Sequence, residues 1–384
     1  MTHSVERLHA GDCEEVVGFL DRVFSQHNGF TMDIAKKFPR IFTDTEETMG
    51  WYYAVREGGA IVGTAAHHPM TYKVGESLLR VSAGGNVAVD PDYRNQGIMQ
   101  ALMRRINDVL VEENMDLAYL HGDRKRYRTF GFERCGLQYN FSYTKSFLEQ
   151  LGHVGGFALS DLRQESAEVP EQVAQIMARR RSGFVRKTEE VLPALCAQER
   201  LPLVVRNKQH RVVGYISMDV KNCYIDELGL ETAEDFGNVL MSAMLFAEAD
   251  KLLLCIPEFE WEMVAKSLAI GARYQILQPA NFQILRFDRV VQAFMQAKCA
   301  YAPVLDGSLT IQSDLFGKWR VTCRSGQVSV VPDGGEADLT VNGYQIYSFL
   351  FGPCPPVLAA VYPREIAALV SNWFPIPLFC PNLS

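Results

Sequence analysis

Asn86-Val87-Ala88-Val89-Asp90-Pro91-Asp92-Tyr93-Arg94-Asn95-Gln96-Gly97-Ile98-Met99 is the stretch on which the reading of this chain turns. Asn86 to Asp90 reads as a short strand. Pro91 ends it, because proline has no N–H to give to a ladder. A tight polar turn follows, and then a helix from about Gly97 to Glu113. Its apolar residues Ile98, Met99, Leu102, Met103, Ile106, Val109 and Leu110 recur at helical spacing. A strand–turn–helix leaves the first backbone N–H groups of the helix without intrahelical acceptors, facing the turn. Arg94 and Gly97 stand there. Free amides, helix dipole and a guanidinium together suit a phosphate or pyrophosphate. The same residues also describe an ordinary strand–turn–helix with an exposed arginine.

Composition sets the outer limits. The 384 residues exceed what one core usually serves, so two or three domains are expected. The net charge of −7 argues against general nucleic-acid binding, which needs a basic face. It is compatible with a cationic substrate. Nine cysteines lie between Cys13 and Cys380, none in a Cys-x-x-Cys pair and with no histidine cluster nearby. That pattern reads as reduced thiols of a cytoplasmic protein, with neither a disulfide scaffold nor a metal site. Met1 to Arg7 has no apolar core like that of a signal peptide, and no apolar run is long enough to span a bilayer.

Val87-x-Val89-x-Pro91-x-x-Arg94-x-x-Gly97 resembles the acetyl-CoA-binding motif of the GNAT superfamily of N-acetyltransferases. There the pattern usually ends Gly-x-Gly or Gly-x-Ala; here it ends Gly97-Ile98-Met99. A bulky apolar last residue, together with the chain length, resembles the enhanced-intracellular-survival acetyltransferases. A second stretch, Tyr127-Arg128-Thr129-Phe130-Gly131-Phe132, resembles the superfamily's Tyr-x-x-x-Gly-Phe signature at the expected distance. The resemblance implies acetyl-CoA as cosubstrate and no metal. Cofactor contacts are implied at Val87, Ala88, Val89, Arg94, Asn95, Gln96, Gly97, Ile98, Met99 and Gly122.

The chain in order fits three domains. Val5–Leu8 reads as a strand and Asp12–Phe24 as a helix. Residues 25–48 read equally as a wall of the acceptor site or as a helix–loop–helix packed on the sheet. Trp51–Val55 and Ile61–His67 form a hairpin around Gly58-Gly59. His67 and His68 face opposite sides of a strand; they read as structural or rim residues. Leu117–His121 reads as a strand parallel to the Val87 strand, reached by a helical crossover. The resemblance implies that these two strands splay apart to admit the pantetheine arm of the cofactor. The basic residues Lys125 and Arg126 read as cofactor-phosphate contacts or, preferably, as a solvated loop.

Leu151–Gly156 is a glycine-rich break. The pattern of strands and helices then repeats over 151–287 and closes with a strand at Phe282–Phe287. After its central strand this second unit carries Glu231 where a phosphate would sit, so it is expected not to bind the cofactor. Residues 288–384 form a smaller set of strands and helices. The expected fold class is therefore α/β (α+β): tandem acetyltransferase-like mixed-sheet domains over 1–150 and 151–287, then a small α+β domain over 288–384. The subfamily resemblance implies that the last is sterol-carrier-protein-like and that the chain is a homo-oligomer.

Acetyl transfer to an amine poses two proton problems. The acceptor ammonium must lose a proton, and the departing thiolate needs a proton or a hydrogen bond. The resemblance assigns the second task to Tyr127. It assigns the first to the chain's own terminal carboxylate, here Ser384, although the family's terminal residue is commonly aromatic and this one is not; a simple solvated tail is the other reading. Acceptors implied by the resemblance are amines of aminoglycosides and, more loosely, lysine side chains; the acidic total fits a polyamine without selecting one. A non-catalytic protein binding CoA, or an apolar ligand in the last domain, is the alternative.

Overall fold

The computed structural model describes residues 3–353 and 361–380. The first unit runs β1 (Glu6–Arg7), α1 (Cys13–Asn28), α2 (Ile34–Lys37), α3 (Glu46–Met49), β2 (Tyr52–Glu57), β3 (Ala60–Val74), β4 (Ser77–Val89), α4 (Ile98–Glu112), β5 (Leu117–Leu120), α5 (Arg124–Arg128) and β6 (Glu133–Cys135). The second runs β7 (Gln138–Thr144), α6 (Lys145–Gln150), β8 (Ala158–Asp161), α7 (Val169–Arg179), β9 (Ser182–Phe184), α8 (Thr188–Leu195), β10 (Leu201–Arg206), β11 (Val212–Asp219), β12 (Tyr224–Leu230), α9 (Phe236–Phe246), β13 (Lys251–Pro257), α10 (Trp261–Ala269), β14 (Arg273–Leu277) and β15 (Ala280–Ile284). The third runs α11 (Phe287–Cys299), β16 (Gly307–Ser313), β17 (Gly317–Arg324), β18 (Gln327–Pro332), β19 (Leu339–Thr340), α12 (Gln345–Phe351) and α13 (Arg364–Trp373). The fold is mixed α/β, built on three sheets.

The first sheet has the order β1-β2-β3-β4-β5-β15-β6, with β9 added to the far end of β3. Its meander β2-β3-β4 is antiparallel, and β4 and β5 are parallel, joined by α4. The apolar stripe of α4 lies on this sheet: Ile98, Leu102, Met103, Ile106, Val109 and Leu110 are all buried. Gly63 on β3 admits the helix start, since a Cβ there would stand 2.5 Å from Ile98 Cγ2. The opposite face is covered by α1 through Val16, Phe19, Leu20 and Val23.

The second sheet has the order β14-β7-β13-β12-β11-β10-β8. Two strands cross the expected boundaries. β7 precedes residue 151 yet sits between β13 and β14, while β15, which was expected to close the second set, sits between β5 and β6. The two sheets thus exchange one strand each. Strand exchange is a non-local choice, and hydrophobic patterning within a segment carries no record of its partner. The third sheet, β18-β17-β16-β19, shares one continuous core with the first: Tyr72, Val81, Phe282 and Phe294 cluster with Leu309, Val321, Phe349 and Trp373.

Candidate active site

Two features of β4 open the site. Opposite Ala65 of β3 the strand carries both Asn86 and Val87, a bulge with Asn86 at φ 53°. Asn86 is held there on both sides: its carbonyl accepts from Thr64 Oγ1 at 2.9 Å, and its Nδ2 donates to the Tyr52 hydroxyl at 3.0 Å. Pairing of β4 with β5 stops at Gly84–Leu120, although β4 continues to Val89. Leu120 is also the last residue of β5, where it pairs on its other side with Asn281 of β15. The edge from Gly85 to Val89 therefore faces a gap.

The turn after β4 closes one end of this gap. Asp90 caps a short 3-10 turn over Pro91–Tyr93 by accepting from Asp92 N, and pairs with Arg22 at 2.6 Å. Asn95 and Gly97 take positive φ of 63° and 87°, which brings the chain directly into α4. Gly97 has no side chain to cap the helix, and the first intrahelical bond runs from Ala101 N to Gly97 O. The N–H groups of Ile98, Met99 and Gln100 are left to the turn. Arg94 is exposed beside them and makes no ion pair among the described residues.

A cavity of about 470 Å³ lies over this turn. Its wall includes Val87, Ala88, Val89, Arg94, Asn95, Gly97, Ile98, Met99 and Tyr127. Of the expected cofactor residues, Gln96 and Gly122 do not line it; Gln96 O accepts from His3 instead. Sequence reasoning missed Val23, Phe24 and His27 from α1, together with Tyr93 and Gln100. Arg126 also lines the cavity rather than standing apart from it, whereas Lys125 is exposed. Arg124 and Arg128 are bound to the buried Glu133. Arg94, Arg126 and His27 face this cavity with no carboxylate among its lining residues, so its field favours an anion.

Tyr127 is buried on the short helix α5, which Asp123 caps through Arg126 N. Gly122 fixes the ring: its φ is +137°, and a Cβ there would stand 2.6 Å from Tyr127 Cε2. Burial raises the phenol's pKa; Arg126 pulls it down and Asp123 pushes it up, with a net rise. The O–H is thus a proton donor at neutral pH.

Residues 4–135 are an acetyltransferase (GNAT) domain. The chain is an N-acetyltransferase. Solved structures similar to the whole chain show the same fold. A probable N-acyltransferase from Enterococcus faecalis V583 is 15% identical over 98% of each chain, with TM-score 0.69. A GCN5-related N-acetyltransferase from Kribbella flavida is 16% identical, covering 99% of this chain and 97% of its own, with TM-score 0.69. Eis1 from Mycobacterium abscessus is 16% identical over 99% of each chain, with TM-score 0.64. No curated protein matches the chain.

On the far side of the β4 bulge from the GNAT domain's turn lies a second cavity of about 330 Å³, lined by Phe38, Ile41, His68, Gly84, Gly85, Asn86, His121 and Gln198. Phe38 and Ile41 come from residues 25–48, so part of that segment does wall a cavity at the strand gap. Gln198 comes from the second unit, in a left-handed turn with φ 57°. Lys36 and Glu199 tie that turn to α2 at 2.6 Å. His67 and His68 are both buried. Among the described residues no group of three or more His, Cys, Asp or Glu is placed to hold a metal. No helix among the described residues is long and apolar enough to cross a membrane.

Proposed function

We propose that this chain transfers acetyl from acetyl-CoA to a primary amine by direct attack, without a covalent enzyme intermediate. One observation carries the reading: a cation-lined cavity over the amide start of α4 takes in Val87–Val89 and Tyr127, and a second cavity takes in the preceding residues of the same strand edge, Gly84–Asn86. Arg94, Arg126 and the free amides of α4 suit a pyrophosphate. The gap between β4 and β5 suits an extended arm pairing with strand backbone. Gln96 and Gly122 act indirectly, in the turn and behind the tyrosine ring.

Acetyl-CoA, when bound, supplies the thioester that the amine attacks. The chain's own groups then do three things. Backbone amides on Val87–Val89 hold the thioester carbonyl oxygen as it gains charge. Tyr127 offers its O–H to the developing thiolate; with a reference pKa of about 10 it supports that charge rather than protonating it in advance. The Ser384 carboxylate takes the ammonium proton. Ser384 lies outside the described residues. Cys380 is buried beside Gln198, which lines both its own small cavity and the acceptor cavity. The four residues after Cys380 reach at most roughly 14 Å when extended. His121, at the mouth of the acceptor cavity, is the second candidate base.

Thiol release from acetyl-CoA with a panel of amines tests the reading. Wild type releases thiol only when amine is present, and Tyr127→Phe lowers kcat by roughly 10²–10⁴ with acetyl-CoA affinity unchanged. Acetyl-CoA binding with no release for any amine would instead favour a CoA-binding protein without turnover. A short extension after Ser384 abolishes turnover and spares acetyl-CoA binding. If the extended protein turns over normally and His121→Asn does not, the base is His121.

We further propose that 151–287 binds no acetyl-CoA and that 288–384 is a sterol-carrier-like unit that buttresses the first sheet. The chain is read as a cytoplasmic homo-oligomer, with the exposed Tyr274, Ile276 and Leu277 of edge strand β14 at the contact. Static light scattering checks the oligomer.

A further inference from the structure

The acceptor cavity differs in kind from the cofactor cavity. Among the described residues it is lined by neither Asp nor Glu, and by neither Lys nor Arg. Phe38 and Ile41 supply an apolar wall, Gly84 and Gly85 a bare backbone floor, and Asn86, Gln198, His68 and His121 neutral polar groups. The acidic groups around it are already engaged. Glu190 faces Arg40 at 3.6 Å, and Glu199 holds Lys36. Beyond Gln198, Asp226 is paired with Arg200, and Glu227 with Arg180 and Arg186. None of these carboxylates is free for a second ammonium.

We infer that the acceptor is a primary monoamine on a compact apolar or aromatic body, of the arylalkylamine kind, and not a polycation such as a polyamine or an aminoglycoside. This rests on the acetyltransferase reading above. A polycation would bring several ammonium groups into a cavity where only the reacting one meets a base. Each of the others would be desolvated without a partner, and such burial is costly. Size agrees: about 330 Å³ is at the small end of ligand pockets, which run from about 300 to 1,000 Å³. His68 strengthens the exclusion. Its ring is fully buried, neither nitrogen has a partner, and a Cβ at Gly85 would stand 3.8 Å from Nε2. Burial, then Arg40 and His67, lower its pKa to about 3, so it stays uncharged at neutral pH. Arg40 behind it makes this wall unfavourable to any further cation.

The test is steady-state kinetics of the full chain at saturating acetyl-CoA with 2-phenylethylamine, tyramine, spermine and kanamycin. The first two exceed the last two in kcat/KM by roughly 100-fold, the scale of an unpaired buried charge. Gln198→Glu places a carboxylate in the cavity. It raises kcat/KM for spermine by about 5–10-fold and leaves the KM for acetyl-CoA unchanged. Phe38→Ala lowers kcat/KM for 2-phenylethylamine by about 10-fold and spares spermine. Spermine or kanamycin as the preferred wild-type acceptor would overturn the inference while leaving the acetyltransferase reading intact. So would Gln198→Glu that melts like wild type without altering the ranking. Release with none of the amines, from protein that binds acetyl-CoA, would overturn the acetyltransferase reading and this one with it.

Discussion

Two pairs of parallel strands in this chain part at their C-terminal ends, and the two gaps hold different things. β4 and β5 pair only as far as Gly84–Leu120, and the space beyond is open, walled by Arg94, Arg126 and Tyr127. β12 and β13 pair only at Tyr224–Leu253 and Ile225–Leu254, and the space beyond is filled. Arg180 reaches into it and donates to Glu227 at 2.7 Å, to Glu260 at 3.2 Å and to the Tyr215 hydroxyl at 3.0 Å. Arg186 adds a second guanidinium on Glu227 at 3.3 Å. What remains is a cavity of about 30 Å³, room for a water and no more. Burial alone would raise the Glu227 carboxyl; Arg186 and Arg180 overcome that and hold its pKa below the ordinary value. The same parting of strands leaves an open cleft in one unit and seats a structural ion cluster in the other. A fold offers the gap; side chains decide its use.

The comparison can be broken first at Glu227. Glu227→Gln strips the anion from two buried guanidinium groups and destabilises the protein by roughly 3–5 kcal/mol. Thermal or urea unfolding measures this, and acetyl-CoA titration stays at one site per chain in both proteins. A second binding site in the variant would mean that the second gap was only blocked, not differently built. Next comes the unpaired imidazole on the open side. His68 is lowered from 6.5 to about 3, so between those pH values the unfolded chain takes up a proton that the folded chain refuses. Stability present above pH 6.5 is therefore lost as pH falls, by at most about 3 kcal/mol at pH 4 from this ring. His68→Gln flattens the dependence of melting temperature on pH in that window. The smallest of the three is Arg94→Ala, which weakens acetyl-CoA binding by roughly 10–100-fold while leaving the melting curve in place. Calorimetric titration reads it, and an unchanged affinity would move the phosphate site off this turn.

These contrasts were legible in the sequence to different degrees. The strand, the proline stop, the turn and the apolar stripe of α4 are local, and the helix observed, Ile98–Glu112, lies within one residue of the expected span at each end. Glu231 was a sign of a different second unit, and it stands paired with Arg179 at 3.6 Å and Arg211 at 3.0 Å. The filling of that unit's gap was not legible. Arg180, Glu227 and Glu260 are dispersed in the chain, and no local pattern links them. The acceptor cavity was only partly visible. One of the two readings of residues 25–48 pointed to it, but His68 read as a structural or rim residue, and Gln198 arrives from the second unit through a left-handed turn that no composition signals. The exchange of β7 and β15 was not legible either, because both strands have the pattern of ordinary neighbours in their own units.

That exchange has a consequence for how the protein is made. The cofactor turn, the tyrosine helix and β6 are all synthesised by residue 135, yet β6 joins its sheet only through Ala280–Phe282 of β15. β5, four buried residues long, waits for the same strand along one edge. On a ribosome releasing the chain from its N-terminus, the catalytic sheet stands with an open apolar edge until some 150 further residues have emerged, the interval from β6 to β15. The enzyme's first domain in sequence is thus among the last to be finished. A fragment ending at residue 150 would carry the whole Val87–Gly97 motif and still present Leu117–Leu120 with one edge unpaired.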